Sequence, residues 1–170
     1  MNRNVPAGTI ADAGYTSVDP APPLDGPYAA HRGKVAELRA RLTDVHLPMF
    51  QRMRCVFTLR NLGGPDAVEA LAACFDDPSA LLRHEVAYVM GQMQDPHAVP
   101  FLTAVLDKPD EHVMVRHECA EALGAIGQSE SIPVLERHRH DPHPEVAESC
   151  DVALDLIAWV NSKNFEYVDS

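Results

Sequence analysis

Apolar residues recur along this chain at spacings of three and four, the period of a helix face rather than the alternation of a strand. Val35, Leu38 and Leu42 open the pattern. Met49, Met53, Val56, Phe57 and Leu59 resume it after a break at His46-Leu47-Pro48. Gly63-Gly64-Pro65 stops that second helix, and Asp66 stands near the start of the next. From there the chain repeats itself. Ala67-Val68-Glu69-Ala70-Leu71, Ala98-Val99-Pro100-Phe101-Leu102 and Ser131-Ile132-Pro133-Val134-Leu135 superimpose at offsets of 31 and 33 residues. Pro100 and Pro133 share one slot, in a first helical turn that tolerates a missing N–H. An Asp/Pro turn follows each short helix: Asp76-Asp77-Pro78, Asp107-Lys108-Pro109 and Asp141-Pro142. Longer second helices are then expected over about 79–94, 112–127 and 143–159. Their apolar stripes align as Val86/Val89/Met90, Cys119/Ala122/Leu123 and Cys150/Ala153/Leu154.

With the helices expected over 31–62, the pattern makes four helical hairpins, at about 31–64, 65–95, 96–128 and 129–160. One hairpin cannot bury its apolar face alone, so neighbours must stack. The expected fold is all-α, a HEAT-like α-α superhelix of about four hairpins occupying residues 29–162. Residues 1–28 are of a different material. Pro6, Pro20, Pro22, Pro23 and Pro27 alternate with Gly8, Gly14 and Gly26 without apolar periodicity, which reads as a linker or extended tail. Residues 163–170 form a short C-terminal tail.

Composition narrows the function. At 170 residues the length is that of one domain with a real core. The formal net charge of −11 argues against nucleic acid as a partner, because phosphate contacts need a basic face. An acidic surface suits a cationic partner, and equally serves solubility alone. The four cysteines, Cys55, Cys74, Cys119 and Cys150, lack the Cys-x-x-Cys spacing of a zinc ribbon or redox dithiol. Cys119 and Cys150 share a repeat slot, as small buried thiols would. No apolar run approaches the roughly 20 residues that span a bilayer. The polar start does not look like a secretory leader, so a reduced, cytoplasmic setting is expected.

One sequence and its echo concentrate the chemistry. Arg83-His84-Glu85 and Arg116-His117-Glu118 lie 33 residues apart, and each is followed by four residues, a large apolar residue and a glycine. In the second-helix alignment the corresponding pairs are Met53-Arg54 and Glu148-Ser149, so only the two central repeats carry His-Glu. Adjacent helices pack about 8–10 Å apart, which lets His84 and His117 converge between them. Repeats copy themselves, so matching positions alone are weak evidence. Ionisable pairs kept against a partly buried face, and replaced in both flanking repeats, favour a site. Two imidazoles and a carboxylate with open positions suit a non-haem Fe(II) oxygenase, and zinc accepts similar ligands. The residues alone do not choose the metal. His31, His46, His97, His112, His138, His140 and His143 fall mostly in turns or at helix ends, where exposure is expected. There is no phosphate-binding glycine loop and no Gly-x-Ser-x-Gly elbow.

Several stretches carry a family resemblance: Ser17-Val18-Asp19-Pro20-Ala21-Pro22-Pro23, Asn61-Leu62-Gly63-Gly64, Ser79-Ala80-Leu81-Leu82-Arg83-His84-Glu85, Gly91-Gln92-Met93-Gln94, Met114 to Ile126, and Val146-Ala147-Glu148-Ser149-Cys150. From about residue 15 to its end the chain resembles deoxyhypusine hydroxylase, a HEAT-repeat di-iron monooxygenase. That family hydroxylates deoxyhypusine on eukaryotic translation initiation factor 5A with O₂. Its members carry four His-Glu pairs, two in each of two similar halves, and this chain resembles the C-terminal half. The resemblance implies that His84, His117 and Glu118 ligate one Fe(2+), with a second iron held by another HEAT half. That half is an N-terminal one or a second copy. Glu85 is implied as a substrate-binding residue or additional metal ligand. The implied partners are the deoxyhypusine form of the factor and the second half, with no nucleic acid and no membrane. The alternative is a HEAT-repeat protein-binding scaffold without catalysis.

Overall fold

A computed structural model describes residues 33–162. The proline-rich stretch read over 1–28 and the tail over 163–170 lie outside the described residues. The helices are α1 (Val35–Thr43), α2 (Met49–Leu62), α3 (Gly64–Ala72), α4 (Ala80–Met93), α5 (Val99–Leu106), α6 (Val113–Ile126), α7 (Ile132–His138) and α8 (Pro144–Ser162). Short 3₁₀ turns at Pro96–Ala98 and Ser129–Ser131 lead into α5 and α7. No strand occurs among the described residues. These are the hairpins the repeat pattern calls for.

The long helices α2, α4, α6 and α8 stack side by side in one layer, and each short helix packs on the long helix of its own hairpin. The core lies between the layers, where Leu42, Leu59, Leu71, Leu82, Met90, Leu102, Leu106, Leu123 and Leu135 are fully buried. All four cysteines are buried free thiols. Burial pushes the Cys74 thiol up to about 11 and that of Cys150 to about 12, so both stay protonated.

Capping residues set where the site-bearing helices begin. The Ser79 side chain accepts from the Leu82 N–H at 3.3 Å to start α4. His112 Nδ1 accepts from the Met114 N–H at 3.2 Å to start α6. Gly127, at φ 75°, ends α6 in the left-handed conformation that glycine enters at least cost. Gln94 takes the matching position after α4 at φ 50°, and its side chain donates to the Ala125 carbonyl at 2.9 Å.

A ladder of arginines ties each hairpin to its neighbours. Arg52, Arg83 and Arg116 occupy one repeat slot, immediately before the Met53, His84 and His117 slot. Arg52 and Arg116 donate through Nε to the Leu42 and Leu106 carbonyls at 2.8 and 3.0 Å. Their guanidiniums pair with Asp77 and Asp141, and that of Arg83 pairs with Glu111. Asp77 and Asp141 are therefore buried structural anions as well as turn residues. A buried pair of this kind is costly to break from one side, by about 3–5 kcal/mol. His138, expected to be exposed, is instead half-buried, its Nε2 2.8 Å from Asp107 and its Nδ1 3.4 Å from Asp141. The next residues after Arg83 and Arg116, His84 and His117, approach each other between α4 and α6.

Candidate metal centre

Three donors meet on the seam between α4 and α6. His84 comes from α4, and His117 and Glu118 come from α6. His84 and His117 lie with ring centroids 5.9 Å apart and planes tilted by 38°. Glu118 Oε2 is 3.2 Å from His84 Nε2 and 3.9 Å from His117 Nε2. One donor atom from each of the three residues falls within 4.8 Å of the others.

Burial makes the cluster expensive unless a cation shares it. The Glu118 side chain is only 10% exposed, and His84 and His117 keep 20% and 26%. A carboxylate taken out of water needs a compensating positive charge. Without a metal that charge is a proton on His84. The hydrogen bond to Glu118, and secondly the carboxylate of Glu85, raise this imidazole to about 9 against the opposing pull of burial. Glu85 Oε1 lies 3.6 Å from His84 Nδ1, too far for a hydrogen bond, so Glu85 acts mainly as a nearby charge. Nδ1 is accordingly buried without a hydrogen-bond partner.

The donor set fits a divalent transition metal. Two atoms bound to one ion at about 2.1 Å each are at most about 4.2 Å apart, and both Glu118–imidazole distances satisfy that. Two neutral imidazoles and one carboxylate suit Fe(II) or Zn(II) and leave positions for substrate and solvent. A cation here replaces the proton on His84 and neutralises Glu118.

The structure thus brings His84, His117 and Glu118 together and leaves Glu85 beside them, outside the three-donor group. Glu85 is half-buried, with its side chain 24% exposed. A cleft of about 440 Å³ opens from His117 between α6 and α8, lined also by Met114, Glu121, Glu145, Glu148 and Val152. The fourth repeat supplies no ligand but does reach the centre, since Ser149 lies 3.4 Å from His117 Nδ1. Ser149 stands in the repeat slot of Glu118, and a hydroxyl at that slot is its one signal in the sequence.

Comparison with known proteins agrees with this architecture. A family model for HEAT repeats matches residues 35–114 and 74–155. The deoxyhypusine hydroxylase of Danio rerio is 52% identical over 155 residues, covering 91% of this chain and 49% of that protein. Those of Mus musculus and Schizosaccharomyces pombe are each 49% identical, over 155 and 159 residues, covering 49% and 50% of the relatives. The solved structure of human deoxyhypusine hydroxylase in complex with glycerol superimposes with a TM-score of 0.78 at 42% identity, over 85% of this chain and 51% of that one. The CpcE–CpcF complex of phycocyanin lyase from Nostoc, at TM-score 0.58 and 22% identity, shares the fold alone. The chain spans about half the length of the curated relatives it matches. It belongs to the HEAT-repeat family, and within that family its sequence relatives are deoxyhypusine hydroxylases.

Proposed function

We propose that this chain is one half of a deoxyhypusine monooxygenase, corresponding to the C-terminal half of the relatives. Its substrate is then the deoxyhypusine side chain of eukaryotic translation initiation factor 5A. The observation that carries this reading is the meeting of His84, His117 and Glu118 within 4.8 Å, in a chain whose relatives bear that name.

In this reading His84 and His117 offer imidazole lone pairs, and Glu118 offers the negative charge that holds Fe(2+). Bound iron, one ion per half and two in the complete enzyme, supplies the O₂ chemistry that side chains lack. One atom of O₂ enters a C–H bond of the substrate and the other leaves as water, with two electrons and two protons drawn from an external reductant. Glu85 has a different task. Its carboxylate, half-exposed beside His84, is placed to hold an ammonium of the polyamine-like side chain. The net charge of −11 steers a basic substrate loop toward the site.

The test is anaerobic reconstitution with Fe(2+), followed by addition of the deoxyhypusine-bearing factor, a reductant and O₂, with the second half or a second copy present. Retained iron above a His84→Ala control and a one-oxygen mass gain on the factor are expected. A protein-binding scaffold without catalysis retains no more iron than the control and leaves the factor unchanged.

A further inference from the structure

Ser149 sits on α8, in the slot that holds Glu85 and Glu118 in the two preceding repeats. It is 7% exposed, and its hydroxyl lies against Nδ1 of His117 on the wall of the cleft between α6 and α8. Ser149 Oγ is 3.2 Å from Glu121 Oε1 and 3.4 Å from His117 Nδ1. Glu121, one turn along α6 from His117, closes the triangle with Oε1 3.3 Å from the same Nδ1.

The geometry points to Ser149 and Glu121 as a positioning pair that fixes the tautomer and ring orientation of His117, a role whose functional consequence rests on the metal reading above. The reason is a count of protons. An ionised carboxylate brings none to the triangle, and the hydroxyl brings one. If that proton goes to Glu121, as the Ser149-to-Glu121 hydrogen bond has it, two oxygens at 3.3 and 3.4 Å face Nδ1 and are best met by an N–H there. A bare Nδ1 would instead set a lone pair against a carboxylate oxygen at 3.3 Å, with one hydroxyl proton to serve both. His117 therefore carries its proton on Nδ1. Its Nε2 lone pair is left facing Glu118 and His84, the side on which a metal is held.

His84 lacks such support, since its Nδ1 is buried without a hydrogen-bond partner. The two imidazoles are thus unequal: one is oriented by the fourth repeat, the other by Glu118. The last hairpin contributes no ligand, yet it sets the direction of one.

Nitrogen-15 NMR of the metal-free full chain at mildly alkaline pH reads the tautomer directly. Wild type is expected to show the Nδ1–H form at His117. The Ser149→Ala/Glu121→Ala double variant is expected to lose that bias and to bind cobalt(II), used as the probe metal, at least about tenfold more weakly. Glu121→Gln brings amide protons that can meet a bare Nδ1, and is expected to weaken the Nδ1–H bias. If Ser149→Ala prevents folding, Glu121→Ala on its exposed position gives the same reading alone. An Nε2–H tautomer in wild type, or unchanged tautomer and cobalt affinity in the double variant, overturns the assignment. Absence of cobalt binding to wild type at His117 removes the metal reading, and the tautomer result still decides for or against the positioning pair.

Discussion

His84 and Glu118 meet across two helices and two repeats, Nε2 to Oε2 at 3.2 Å, although 34 residues separate them in the chain. The contact exists because consecutive long helices stack in register, so one repeat's histidine faces the next repeat's carboxylate. Glu85 is directly bonded in sequence to His84 yet stands outside the donor group. Expected, then, is that His84→Ala, His117→Ala and Glu118→Ala each reduce bound iron to background. Glu85→Gln is expected to keep the iron and to weaken binding of the deoxyhypusine-bearing factor. Iron content by mass spectrometry decides, and loss of iron from Glu85→Gln would falsify this division of labour.

The recurring glycines after the His-Glu pairs have a packing cause. Gly124 lies where α6 crosses α8, and a Cβ there would come within 2.8 Å of both Cα and Cβ of Ala153. Gly91, at the α4–α6 crossing, would place its Cβ 3.0 Å from Ala122 Cα. Overpacking of this kind costs about 1–3 kcal/mol, while removing a helical glycine returns about 1 kcal/mol. Gly124→Ala is therefore expected to lower stability by up to about 2 kcal/mol, and Gly91→Ala by less. It will also shift the helix that carries Ser149 away from His117. Urea midpoints that rise in Gly124→Ala would sink the idea.

The helices were legible because each one shows its period. Apolar stripes, Pro100 and Pro133 at first turns, and Gly127 after α6 all speak through local chemistry. The convergence of His84 and His117 was legible for a different reason. The repeat offset carries them to one level of adjacent helices, so sequence distance converts directly to spatial contact. The choice of Glu118 over Glu85 rested on the family resemblance. What stayed hidden depended on side-chain reach rather than on position. Nothing local tells that Asp141 ends in a guanidinium 25 residues upstream, or that His138 is caught between Asp107 and Asp141. Gln94 entered the left-handed region where the third repeat has Gly127, a substitution that the fold absorbs through a hydrogen bond to Ala125.

The acid limb of stability follows from the ladder. Asp141 is desolvated, which pushes its carboxyl up, but the Arg116 guanidinium, the His143 backbone N–H and His138 outweigh that and hold it below its ordinary 3.8. Asp107 is held low in the same way, as hydrogen bonds from His138 and Arg137 outweigh its desolvation. A carboxyl depressed in the folded state contributes stability that is fully present above its ordinary value. That contribution is lost as pH falls through the depressed one. Unfolding on acidification below 3.8 is therefore expected, with a shallower pH dependence in Asp141→Asn. At neutral pH the same variant leaves Arg116 buried against a neutral amide, a loss of about 3 kcal/mol. A variant as stable as wild type at neutral pH, with the same acid slope, contradicts this account.

This chain carries one three-donor group among its described residues, and the proposed chemistry calls for two irons. A second group must come from another HEAT half, and a second copy of this chain can supply one across a two-fold axis. Glu85, Glu121, Glu145 and Glu148 border the centre and its cleft, so two such faces repel each other when no cation lies between them. Fe(2+) reverses the sign by replacing carboxylate–carboxylate contact with carboxylate–cation contact. Sedimentation is therefore expected to show a monomer in chelator and a dimer with Fe(2+) under anaerobic conditions. His84→Ala is expected to remain a monomer in both. Turnover, where a second copy is the partner, then rises faster than linearly with protein concentration, because the active species contains two chains. If the partner is instead a distinct half, iron leaves the size unchanged until that half is added. A strictly monomeric protein with one iron, hydroxylating the factor at a rate per chain independent of concentration, would show that a single half suffices.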